Sequence, residues 1–196
     1  MKARFWDRLA KSFDKDATAD PILMNLFKDN VSSESAVLEL GAGTGSLALN
    51  LAQFCHSLEA SDFSAEMIAR AKEKEKPENL NFTIQDASNL SYKNESFDLI
   101  IAIFVLHVVP DMQAVIAEAK RVLKPGGKLI AEVPIPKKQG IISAILINGV
   151  MRLMKFRLWT AKKYETMLQE HGFSVELNHD RSSDGKSIIL IATLKT

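Results

Sequence analysis

Three glycines at alternate positions, Gly41, Gly43 and Gly45, stand between the segment Val37-Leu38-Glu39-Leu40 and a second apolar set, Leu47, Ala48, Leu49, Leu51 and Ala52. Glycine there lets the backbone take positive φ and strips Cβ atoms from one wall of the turn. A ligand can lie directly against such main chain. The first amides of the following helix face the same space, which favours a polar or anionic group. Acidic residues recur where two later strand-like segments end, Asp62 after Ser57-Leu58-Glu59-Ala60-Ser61 and Asp86 after Leu80 to Gln85. A carboxylate accepts hydrogen bonds from two neighbouring hydroxyls at once. His107 closes the most apolar stretch of the chain, and its residue type titrates near neutrality and so suits a proton acceptor. Each of these residues also has a plainer reading: the aspartates as solvated turn carboxylates, the histidine as a packing or surface side chain.

The elements that must position these groups are legible from periodicity. Val37 to Gly45 and the residues after it read as strand, tight turn and helix. Ser64-Ala65-Glu66-Met67 opens another helix, with Ser64 as N-cap and Met67 as the first inward residue, running to Glu75. Leu80 to Gln85 alternates apolar and polar like a strand. Between Glu95 and Asp111 the apolar run is nearly unbroken and rich in β-branched residues, which indicates a strand buried on both faces in the middle of a parallel sheet. Asp111 to Leu123 is amphipathic and stops at Lys124-Pro125-Gly126-Gly127, a firm helix terminator. A fifth strand follows over Lys128 to Pro134, then, after an insertion, a helix from Thr160 to His171-Gly172 and strands over Phe173–Asn178 and Ser187–Leu194 joined by the polar turn Asp180 to Lys186. Ahead of all this, Phe5, Leu9 and Phe13, then Ile22, Leu23, Leu26 and Phe27 after Asp20-Pro21, predict one or two helices covering a sheet face.

At 196 residues the chain suits one domain with a substantial core. A hydrophobic fraction of 46%, a charged fraction of 25% and a net charge of +1 give no global attraction to nucleic acid or acidic membranes. The single cysteine, Cys55, excludes an internal disulfide and fits a reducing, cytoplasmic setting, with core filling as its expected role. The residues after Met1 lack the apolar run of a secretory signal. The longest apolar run, Gly140 to Met151, falls short of the roughly 20 residues needed to span a bilayer. No Glu/Asp/His cluster with metal-ligand spacing is visible, and no basic, aromatic-rich patch of the kind expected for RNA.

Spacing separates two ligand classes for the glycine turn. A dinucleotide fingerprint places its third glycine three residues after the second, where this chain has Ser46. The segment Val37 to Gly45, with Glu39 two residues before the first glycine, instead resembles the first motif of class I S-adenosylmethionine-dependent methyltransferases. Asp62, Asp86, Phe97-Asp98 through His107, and Arg121-Val122-Leu123-Lys124-Pro125-Gly126-Gly127-Lys128-Leu129 extend the resemblance over about residues 36 to 135. It implies an α/β, Rossmann-like, doubly wound and mostly parallel seven-stranded sheet finished by a C-terminal antiparallel hairpin. It implies S-adenosyl-L-methionine as cofactor, lying over Glu39, Gly41, Ala42, Gly43 and Gly45. The ribose then falls to Asp62, the adenine faces to Phe63 and Leu90 with Met67 nearby, the adenine amino group to Asp86 and a ring nitrogen to the Ala87 amide. The Ile103 carbonyl would receive the methionine amino group, with Phe104 and His107 near the sulfonium. Relatives also close over the cofactor with a segment like Trp6 to Asp14, often with a tyrosine where this chain has Phe13.

The resulting expectation is a single methyltransferase domain, 1–196: an N-terminal helical cap over 1–33, a cofactor-binding core over 34–135, a helical lid over 136–160, and a C-terminal helix and hairpin over 161–196. The insertion, apolar with Lys137, Lys138, Arg152, Lys155 and Arg157 at its edges, reads as a lid or packing helix, a homodimer face or a membrane-surface helix. Since no Asn-Pro-Pro-Tyr-like segment follows the fourth strand, the expected methyl acceptor is a small molecule rather than a nucleic-acid base, with His107 as the candidate base. Two other classes stay open. A nicotinamide-dependent oxidoreductase would want glycine at Ser46 and gives Asp86 no task, and a non-catalytic cofactor-binding protein would keep the same motifs.

Overall fold

The computed structural model describes Asp7 and residues 21–135, 159–178 and 187–196. The expected helix around Phe5 to Phe13, most of the insertion and the 180–186 turn lie outside the described residues. Pro21–Lys28 forms helix α1, starting at the proline as its sequence demands. Strand β1 is Ala36–Leu40, α2 is Ser46–Leu51 with a 3-10 turn over Ala52–Phe54, β2 is Ser57–Asp62 and α3 is Ala65–Lys72. Then come β3 (Leu80–Ile84), β4 (Phe97–Ile103), α4 (Met112–Val122), β5 (Leu123–Pro134), α5 (Ala161–Glu170), β6 (Phe173–Asn178) and β7 (Ser187–Leu194).

The strands form one seven-stranded sheet in the order β3-β2-β1-β4-β5-β7-β6. β1 to β5 are mutually parallel, whereas β7 runs antiparallel to both β5 and β6. This is the doubly wound, hairpin-finished sheet the sequence predicts. Side chains alternate across the pleat, so β1 sends Leu38 and Leu40 to one face, against α4 and α5, and Val37 to the other, against α1, α2 and α3. Val115, Ile116 and Ala119 of α4 and Tyr164 and Leu168 of α5 close the first layer. Phe27, Ala48, Leu51, Ile68 and Ala71 close the second. Cys55 is buried beside that second layer, as expected of a filler, and burial pushes its thiol up to about 11.

Three boundaries depart from the sequence reading, the smallest at α3, which ends at Lys72 rather than Glu75. The apolar run after Glu95 is strand only from Phe97 to Ile103, because Phe104 takes a left-handed backbone (φ 56°) that ends pairing and turns Val105 to Val109 into a loop. β5 begins at Leu123, five residues before the expected Lys128, because Leu123 pairs with Phe97 across a register shift. The Lys124-Pro125-Gly126-Gly127 turn is thereby absorbed into the strand. A Cβ on Gly127 would lie 2.9 Å from the Lys124 carbonyl and 3.1 Å from that of Asp98, so the second glycine answers to close backbone packing.

Candidate cofactor and active site

The chain leaves β1 toward β2 on one side and returns to β4 on the other, so the crevice above the carboxyl ends of β1 and β4 is the topological switch point where ligands bind in such sheets. The glycine turn sits there. Gly41, Gly43 and Gly45 all have positive φ, 69°, 56° and 80°, but for different reasons. A Cβ on Gly41 would run into the Val105 side chain, and one on Gly45 would lie 2.5 Å from the Phe82 ring. Those two glycines let the turn after β1 pack against β3, α3 and the loop after β4. At Gly43 no described residue lies within 4 Å of the missing Cβ, so the main chain there is bare toward the crevice.

The turn is stitched to the end of β2. The Ala42 amide donates to the Ser61 carbonyl at 2.9 Å, and the Gly43 amide donates to Asp62 Oδ2 at 2.9 Å. Asp62 Oδ1 accepts the Ser64 amide at 2.8 Å, and Ser64 caps α3 by accepting the Met67 amide. Each Asp62 oxygen therefore keeps only part of its accepting capacity for a ligand hydroxyl. Burial raises the Asp62 carboxyl above the usual range, opposed by the amides of Ser64, Gly43 and Phe63 and reinforced by Asp7. Asp7 itself accepts the Ser64 hydroxyl at 2.5 Å. It is a contribution the sequence reading overlooked, because that segment drew notice for its aromatics.

Glu39 lies deeper, 3% exposed on the central strand. Burial first, and the Asp62 charge second, push its carboxyl up to about 8. Its Oε2 has no hydrogen-bond partner. Ser61 Oγ reaches only the Glu39 main-chain carbonyl, at 2.9 Å.

The remaining predicted residues divide into a crevice set and a packed set. Phe63 and Phe104 are each 45% exposed despite their size, flat apolar faces left uncovered at the ends of β2 and β4. Ile103 lies opposite Glu132 of β5, and the Phe104 amide donates to the Glu132 carbonyl at 2.9 Å. His107 meets the Phe104 ring edge-on, with centroids 6.3 Å apart. Burial pulls its imidazole down to about 4, out of the neutral range its residue type suggested, so it is uncharged at pH 7 and a weak proton acceptor. Asp86 is exposed beyond β3, its Oδ1 accepting the Ser88 amide and hydroxyl at 2.9 and 2.6 Å. Ala42, Met67 and Leu90 are buried. Leu90 packs in the core layer with the half-buried Ala87 against it, so its side chain belongs to the core rather than to an open face. Its amide donates to Glu118 Oε2 at 2.7 Å and its carbonyl accepts from Arg121 at 2.9 Å, which fastens the loop that presents Asp86 and Ala87.

Two further features escaped the sequence reading. Glu132 is 1% exposed and accepts the Ser187 hydroxyl at 2.8 Å; a lone acid within the apolar run Leu129 to Val133 was the available signal. A cavity of about 440 Å³ opens beside the loop after β4, with Leu106, Val109, Met112, Trp159 and Met167 as apolar walls and Lys163 among its polar lining. It does not include the glycine turn but begins one residue before His107. Among the described residues no group of His, Cys, Asp and Glu is arranged to hold a metal ion, and no helix is long and apolar enough to cross a membrane.

Comparison with known proteins agrees with this geometry. Residues 38–131 match the family described as a methyltransferase domain. The chain is 35% identical over 115 residues to a phosphatidylethanolamine N-methyltransferase of Cereibacter sphaeroides, covering 56% of this chain and 55% of that protein. It is 36% identical over 123 residues to the ubiquinone/menaquinone biosynthesis C-methyltransferase UbiE of Rickettsia felis, covering 55% and 50%. The matches thus span about half the length of these relatives. Among solved structures, phosphoethanolamine N-methyltransferase 2 of Haemonchus contortus, in complex with S-adenosyl-L-methionine, shares the fold at a TM-score of 0.75 and 16% identity, over 89% of this chain and 52% of that one. The glycine turn, the strand order and the family match together make residues 38–131 a class I S-adenosylmethionine-dependent methyltransferase domain.

Proposed function

We propose that the chain as a whole transfers a methyl group from S-adenosylmethionine to a small organic acceptor with an apolar body. The observation that carries this reading is that Asp86, Asp62, the glycine turn and the Phe104–His107 pair lie at or just past the carboxyl ends of four adjacent parallel strands, β3, β2, β1 and β4. The bare space at Gly43 and the uncovered ring of Phe63 fit an adenosyl group. Asp62 meets the ribose hydroxyls with the lone pairs its two amide bonds leave, Asp86 the adenine amino group, the Ala87 amide a ring nitrogen, and the Ile103 carbonyl the methionine amino group. Residues 1–33 act as the cap and 136–160 as the lid of a single domain.

When bound, the cofactor supplies a methyl carbon on a sulfonium, already activated for displacement. What remains for the protein is alignment of the acceptor and exclusion of water. Phe104 and the neutral His107 wall the approach, and the adjoining cavity between Leu106 and Met167 takes the apolar part of the acceptor. The two relatives are named for a phospholipid and for quinone biosynthesis, and acceptors of that apolar kind suit this lining.

Thermal unfolding with S-adenosylmethionine, S-adenosylhomocysteine and NAD added separately tests the cofactor, since a ligand of the folded state raises its stability. The two sulfur nucleosides should raise the midpoint and NAD should not; the reverse would favour the oxidoreductase. Turnover against a panel of small apolar acceptors then separates enzyme from sensor. Trp159→Ala should raise KM for the acceptor severalfold while S-adenosylhomocysteine affinity stays unchanged, and an unaltered KM would remove the cavity from the reading.

A further inference from the structure

We propose that Glu39 is held as a neutral acid in the unliganded protein and gives up its proton when the positively charged cofactor seats, so that cofactor capture releases about one proton to solvent. The inference rests on the proposed function for the identity of the ligand and adds the electrostatics of its capture.

A carboxylate on a central strand, 3% exposed and with one oxygen unpartnered, has no solvation for a full negative charge. No lysine, arginine or histidine among the described residues forms an ion pair with it. The groups that face it make ionisation harder. Asp62, at the end of β2, is the charge that bears on it directly. Asp7 adds negative charge behind Asp62. On the other side β4 sets Ile101 opposite Glu39, and residues 41–51 contain no ionisable side chain. His107, beyond β4, is itself neutral at pH 7.

Of the two neighbouring acids, Asp62 keeps the charge because two backbone amides bond its oxygens. Glu39 takes the proton because its Oε2 is unpartnered and no amide or cation among the described residues supports its carboxylate. S-adenosylmethionine brings a sulfonium and an ammonium into the crevice at the end of the same strand. A cation there favours the ionised form of a nearby carboxyl. The balance is simple: the O–H bond of Glu39 breaks, the proton passes to buffer, and the carboxylate remains as counter-charge. Glu39 thus completes the site only in its presence.

Calorimetric titration of the full chain with S-adenosylmethionine at pH 7, in buffers of different ionisation enthalpy, counts the proton. Close to one proton should be released at pH 7 and few at pH 9, and affinity should rise by up to about tenfold per pH unit over the interval below about 8. Glu39→Gln should bind with no proton release, within severalfold of wild type at pH 6 and at least about tenfold weaker by pH 8.5. Infrared difference spectra of the wild type give an independent reading: a protonated-carboxyl band present in the free protein should vanish when the cofactor is added. Binding without proton release, or equal release from Glu39→Gln, overturns this inference alone, whereas no binding at all overturns the proposed function with it.

Discussion

Asp62 and Asp98 are the same residue type at opposite edges of one sheet, and their surroundings could hardly differ more. Each ties one segment to the next through a backbone amide, Asp62 accepting from Gly43 at 2.9 Å and Asp98 from Ala36 at 2.8 Å. Asp98, at the amino end of β4, is also gripped by Lys124, whose Nζ lies 2.9 and 2.8 Å from its two oxygens. Asp62, at the carboxyl end of β2, has no cation among the described residues and stands next to Glu39 and Asp7 instead. The amino edge is electrostatically finished and only fastens strands. The carboxyl edge carries surplus acid, which under the proposed function a cationic ligand completes.

The contrast can be broken most severely at the turn. Gly43→Val should abolish cofactor binding, a loss above about 100-fold, by filling the space the bare position keeps open. The left-handed backbone there costs a side chain about 1–2 kcal/mol, so circular dichroism should still report a folded protein. A smaller effect is expected from Asp62→Ala, which should weaken the cofactor by about 1–3 kcal/mol by calorimetry; unchanged affinity would remove its ribose role. Glu39 acts on stability itself. Its folded-state value of about 8 lies above the ordinary 4.5, so between those pH values the folded state binds one more proton than the unfolded state. Its contribution is therefore greatest at low pH, and stability falls on raising pH through that window by up to about 1.4 kcal/mol per unit. Glu39→Gln should flatten that slope in denaturant titrations of the unliganded protein. The mildest change should be Lys124→Ala, with a half-exposed pair at the finished edge, costing about 0.2–1 kcal/mol of stability and leaving cofactor affinity untouched.

Much of this was legible in the residues because local signals and tertiary demands coincide. The three alternating glycines, the Ser64 cap before Met67 and the Thr160 cap before α5 each have a short-range physical cause, and each stands where spacing put it. The failures come from longer range. The apolar character of Val105 to Val109 could not reveal that Phe104 would turn left-handed and end the strand. The basicity of His107 could not be read from its type, since burial decides it. Leu90 looked like a free apolar face, but Glu118 and Arg121, about thirty residues away, anchor its backbone while its side chain fills the core. All three glycines were assigned to the ligand, and only the positions of Gly41 against Val105 and Gly45 against Phe82 show that these two also serve packing.

The most direct test of the account is calorimetric titration of S-adenosylhomocysteine into the wild type, Gly43→Val and Lys124→Ala proteins under one buffer condition. Saturable one-to-one binding that disappears with Gly43→Val and persists with Lys124→Ala is the expected result. Absence of heat in the wild type, or equal affinity in Gly43→Val, would contradict the claim that the acidic carboxyl edge of this sheet receives the cofactor.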